Sequence, residues 1–165
     1  MKKIKYSIFI ILMGVLYPQK ILIPMDQQQN DHLKAYGIAF WSLQNGDPLN
    51  WLLNYKGGSF LLEGKESIQK ECLLRGVSYY TVDGGQLNNI YQTIEENNME
   101  IVLLEKTPKI AVYSPPGKQP WDDAVTLALT YAEIKYDVIF DDEVLLGKLS
   151  NYDWLHLHHE DFTGQ

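Results

Sequence analysis

Lys109-Ile-Ala-Val-Tyr113, Tyr136-Asp-Val-Ile-Phe140 and Tyr152-Asp-Trp-Leu-His-Leu-His158 are the stretches whose reading decides the fold. Each is a short apolar run of strand length, and helical patterns separate them. The first run is followed by the loop Ser114-Pro-Pro-Gly-Lys118 and a helix from Pro120 to about Ile134. The second run is followed by a helix over Asp141 to Leu149. In the longer helix, Trp121, Val125, Ala128, Leu129 and Ala132 recur as a buried stripe. Strands that alternate with helices predict a parallel sheet with right-handed crossovers and helices on both faces. The fold class expected is α/β, with the second part opening an incomplete flavodoxin-like parallel sheet.

Upstream, Glu105-Lys-Thr-Pro-Lys109 is a polar stretch between two apolar runs and is the expected boundary. Residues 20–105 read as a mixed α/β unit. Lys20 to Met25 is a first strand. Leu33, Tyr36, Gly37, Phe40 and Leu43 then mark a helix capped by Asn30 or Asp31 and stopped at Gly46. Trp51–Tyr55 and Ser59–Glu63 around Lys56-Gly-Gly58 signal a hairpin. A helix over Lys65–Arg75 ends at Gly76, Val77–Val82 is a strand, Leu87, Ile90, Tyr91 and Ile94 mark another helix, and Met99–Leu104 is a strand.

At the start of the chain, Lys2, Lys3 and Lys5 precede an uncharged run from Tyr6 to Tyr17. That is the charge-then-apolar order of a secretory signal, here residues 1–19. The run is short of the about 20 residues that a membrane-spanning helix needs. Export to the periplasm or cell surface is expected, with membrane contact only through an uncleaved signal segment.

Setting those three lysines aside leaves 11 basic residues against 21 acidic ones, a net charge near −10. This balance excludes nucleic-acid backbone binding, which needs clustered Lys and Arg. Cys72 is the sole cysteine, so no internal disulfide forms, and its place four after Ile68 predicts a buried, inert thiol. The four tryptophans, three of them on apolar stripes, are expected in the core rather than on a sugar-stacking surface. His32, at the helix start, is expected to be solvated.

Three of the four histidines lie in His156-Leu-His-His-Glu-Asp161, at the end of the last apolar run. Side chains at the carboxyl ends of parallel strands face the crevice where ligands bind. Ser114, His156, His158, His159, Glu160 and Asp161 are therefore the candidate ligand-binding residues, for a small polar or sugar-like molecule. Alternation puts His156 and His158 on one face. With Asp161 or Glu160 they would suit Zn²⁺ or Fe²⁺, the metal-dependent hydrolase alternative; the leading reading needs no cofactor. The spacing is similar to the His-x-His-x-Asp-His signature of metallo-hydrolases, with Glu160 for its Asp and Asp161 for its last His. A further alternative packs His156 inside with a hydrogen bond, with His158 to Asp161 as a polar loop that orders the crevice. A separate one is a non-enzymatic interaction module whose contact surface is the first α/β unit.

Ile21–Asp26, His32–Gly37, Trp51–Phe60, Arg75–Tyr79, Pro120–Val125 and Asp153–Gly164 together resemble a family of exported bacterial proteins catalogued as asparagine synthetase B. The resemblance covers residues 20–165 and implies that the chain continues beyond Gln165. It does not imply the catalogue activity. Lys2 stands where glutamine-dependent asparagine synthetases have a cysteine nucleophile. Their Ser-Gly-Gly-x-Asp-Ser pyrophosphate loop has no match, Gly57-Gly-Ser59 and Asp83-Gly-Gly85 being the nearest. Residues 109–165 are also similar to the start of a class I glutamine amidotransferase-like domain, whose nucleophile lies further along the fold. Ligand binding without catalysis is thus the expectation for these 165 residues, with hydrolase or amidotransferase-like chemistry reserved for a longer chain.

Overall fold

The computed structural model describes residues 19–115 and 123–157. Among them, eight strands and five α-helices form two sheets. The first half runs β1 (Lys20–Ile23), α1 (His32–Gln44), β2 (Leu49–Leu52), β3 (Ser59–Glu63), α2 (Glu66–Arg75), β4 (Tyr80–Val82), α3 (Gly84–Glu96) and β5 (Ile101–Leu104). Its sheet has the order β4-β1-β3-β2-β5 with every pairing antiparallel.

Local signals place these elements. The Asp31 carboxylate accepts the Lys34 N–H at 2.9 Å and starts α1. Asp83 and Gln86 form a reciprocal capping box that starts α3. Interior strand β1 is buried on both faces, as its unbroken apolar run requires. Ile21 and Ile23 meet Ala35, Ile38, Ile68 and Cys72 of α1 and α2. Leu22, on the opposite face, meets Leu61, Ile90 and Ile94 beneath α3. Each such aliphatic side chain contributes about 1.5–3 kcal/mol when fully buried.

The second half comprises β6 (Ile110–Tyr113), α4 (Ala124–Tyr131), β7 (Asp137–Ile139), α5 (Asp141–Leu145) and β8 (Trp154–Leu157). Its order is β7-β6-β8 and both pairings are parallel. The protein is therefore α/β, with an antiparallel and a parallel sheet. The helix expected over Asp141–Leu149 stops at Leu145. Gly147 at φ 73° turns the chain into a 3₁₀ segment over Lys148–Asn151. A left-handed residue of this kind ends an α-helix and glycine adopts it without strain.

α4 lies between the two sheets. Its Leu129 packs with Phe40 of α1 and Ile110 of β6. At its C-terminal end the Ala132 carbonyl sits where a Cβ on Gly37 would stand, so only glycine permits this approach. Polar contacts surround the junction: the Tyr131 hydroxyl donates to Asp31, and Lys34 Nζ pairs with Glu133 at 2.7 Å. The Arg75 guanidinium reaches Glu71 at 2.7 Å and Glu133 at 3.2 Å.

Candidate functional site

In the parallel sheet the chain leaves β6 for β7 on one side and then crosses back to β8 on the other. Right-handed crossovers therefore put α4 and α5 on opposite faces. The carboxyl ends of β6 and β8 lie side by side at one rim of this sheet, the rim at which open α/β sheets bind ligands. Ser114 follows β6 directly, and its N–H donates to the Ile139 carbonyl at 3.0 Å, which extends the ladder one residue. His156 lies in register with Val112 on β8. Strand alternation gives Val112, Ser114 and His156 one shared face, with Ser114 one step nearer the rim.

His156 Nε2 lies 3.0 Å from Asp123 Oδ2. A carboxylate only accepts, so this nitrogen carries the hydrogen, and in a neutral ring Nδ1 keeps a lone pair. Asp123 is itself fixed by its place before α4, where Oδ1 accepts the Val125 N–H at 2.7 Å and the Thr126 N–H at 3.0 Å. One carboxylate thus satisfies two orphan donors of the first helical turn and orients an imidazole. Asp123 is buried, whereas His156 keeps 18 % of its side chain exposed. The Ser114 hydroxyl is buried and has no hydrogen-bond partner among the described residues.

No family model, no curated protein and no solved structure matches this chain.

Of the six sequence candidates, the structure brings Ser114 and His156 to one face of one rim. His158, His159, Glu160 and Asp161 lie outside the described residues, and so does the lower part of the helix expected from Pro120. Among the described residues no three His, Cys, Asp or Glu side chains gather in a way that could hold a metal ion. No helix among them is long and apolar enough to cross a membrane.

Asp123 is the residue of this rim that periodicity missed, because a helix counted from Pro120 puts it inside the first turn. The signal was an aspartate directly before the apolar Ala124-Val125, the place of an N-cap. The tryptophans divide. Trp51 is half-buried against Phe60 and donates to the Gly58 carbonyl at 2.9 Å. Trp154 is exposed and joins Phe40, Trp51, Leu104, Ile110 and Leu129 around an apolar cleft of about 270 Å³. His32 is exposed at the start of α1, its Nε2 at 3.1 Å from the Asp26 carbonyl.

Proposed function

We propose that the rim formed by the carboxyl ends of β6 and β8 binds a small polar ligand, rich in hydroxyl groups as a sugar is, in an exported protein. The observation that carries the reading is the Ser114 hydroxyl, buried and without a hydrogen-bond partner among the described residues, on the sheet face it shares with His156 of the His156–Asp123 pair. An unsatisfied buried hydroxyl costs about 1–3 kcal/mol, a deficit that a ligand hydroxyl relieves. Nδ1 of His156 supplies an acceptor whose orientation Asp123 holds, and it becomes a donor when the ring protonates. His158, His159, Glu160 and Asp161 belong to the reading through their place in the sequence directly after β8. The export order of residues 1–19 and the likeness to the exported family catalogued as asparagine synthetase B support the location. The sheet order 2-1-3 is that of flavodoxin-like domains and agrees with an amidotransferase-like beginning.

Titration with a panel of neutral monosaccharides, polyols and amino acids, followed by NMR, tests this. A saturable shift of the His156 ring and the Ser114 amide is expected. Ser114→Ala should weaken it about tenfold while leaving the free protein as stable or slightly more so. Absence of any saturable response at millimolar concentration, or a response that survives Ser114→Ala with His156→Ala, would overturn the reading.

A further inference from the structure

Among the described residues β5 is the outer strand of the antiparallel sheet, paired with β2 on one side only. Ile101, Val102 and Leu103 are 43 %, 36 % and 58 % exposed, so aliphatic groups stand uncovered on both faces of this edge. An edge of this kind presents unpaired backbone groups and is a template for another strand. The Leu53 N–H donates to the Glu100 carbonyl at 2.9 Å, which sets the phase of the ladder. Glu100, Val102 and Leu104 therefore turn their backbone groups toward β2, whereas Ile101, Leu103 and Glu105 turn theirs outward.

The flanking charges are self-complementary. Glu100 precedes the strand and Lys106 follows it; both are exposed, and neither forms an ion pair among the described residues. We propose that β5 pairs antiparallel with β5 of a second copy about a two-fold axis through Leu103. The outward groups of Leu103 then meet those of the partner's Leu103, and Ile101 meets the partner's Glu105. Glu100 faces the partner's Lys106, and symmetry repeats that pair. An axis between Val102 and Leu103 is out of phase and opposes Glu100 to the partner's Glu105. Axes through Val102 or Leu104 are in phase but oppose Glu100 to the partner's Leu104, or Lys106 to the partner's Val102. Backbone phase and charge together select the axis through Leu103. The chain bends at Lys106, and the long lysine stem spans the remaining gap. Such an interface is isologous, as in most dimers of identical chains.

Sedimentation equilibrium of the full chain, up to concentrations on the order of 100 μM, tests this. A reversible dimer is expected. Glu100→Lys or Lys106→Glu alone should weaken it roughly tenfold or more, and the double reversal should restore it to within a few-fold. Leu103→Lys should abolish it. Circular dichroism of dilute samples verifies the fold of each variant, and the charge reversals, on exposed side chains, decide the matter if Leu103→Lys does not fold. A monomer throughout would overturn the proposal and leave the edge to a different partner. So would a dimer that ignores Leu103→Lys and the single reversals, or one that the double reversal does not restore.

Discussion

The imidazole of His156 and the carboxylate of Asp123 meet at 3.0 Å, 33 residues apart in sequence, and the same carboxylate caps α4. Removing it opens two deficits at once. Asp123→Ala is expected to lower stability by about 2 kcal/mol, roughly half from the lost cap and half from the lost histidine bond. Asp123→Asn keeps an accepting oxygen and should cost less than half as much. Urea unfolding of both variants, with His156→Ala and Asp123→Ala/His156→Ala, should give a coupling of about 1 kcal/mol between the two residues.

Gly37→Ala reverses the usual helix rule. Alanine in a helix interior normally gains up to about 1 kcal/mol over glycine. At this position the new Cβ meets the Ala132 carbonyl, a backbone atom that cannot swing aside, and overpacking costs about 1–3 kcal/mol. A net loss near 1–2 kcal/mol in thermal unfolding is expected. Gly85→Ala in α3, whose Cβ would make only ordinary contact with Asp83, should instead be neutral or slightly stabilising.

Two carboxylates at the α1–α4 junction titrate below their ordinary range. Burial works to raise Asp31, but the Lys34 N–H and the Tyr131 hydroxyl, with the Lys34 charge, outweigh it. The hydrogen bond from Lys34 lowers Glu133, assisted by the Arg75 charge. Groups lowered in the folded state stabilise it above the ordinary carboxyl range and cease to do so as pH falls through their folded values. The melting-temperature difference between the wild type and Lys34→Met/Tyr131→Phe should therefore be largest near about pH 6 and shrink toward about pH 3. A difference that grows with acid would contradict the assignment.

Cys72 is the sole thiol and sits fully buried on the inner face of α2. Burial pushes its pKa up to about 12, and the neighbouring Glu71 charge adds to this. The folded protein should resist alkylation by iodoacetamide near about pH 8, and labelling should begin only with unfolding, since the thiolate is the reactive form.

The parallel half was legible because its strands are short apolar runs set apart by helices, a pattern with one economical solution. Lys109–Tyr113, Tyr136–Phe140 and Tyr152–His158 contain β6, β7 and β8 within a residue or two at each end. The order of the first sheet was not legible, since nothing in Ile101–Leu104 names Leu49–Leu52 as its neighbour. Thr126 escaped the expected stripe on α4 because hydropathy counts its hydroxyl as polar. In the fold that hydroxyl turns back to the Asp123 carbonyl at 3.1 Å and the side chain is buried. For the site, strand ends pointed to Ser114 and His156, but no local pattern ties His156 to an acid in a different crossover. That pairing depends on where α4 crosses the sheet.

Since a single carboxylate both begins α4 and holds His156, the end of β8 and the helix act as one mechanical part. The far turn of α4 presses Ala132 against Gly37 and offers Tyr131 to Asp31. A molecule that lures the imidazole away would slacken a strut braced on the antiparallel layer, so melting of the amino-terminal sheet becomes a remote gauge of occupancy at the opposite rim.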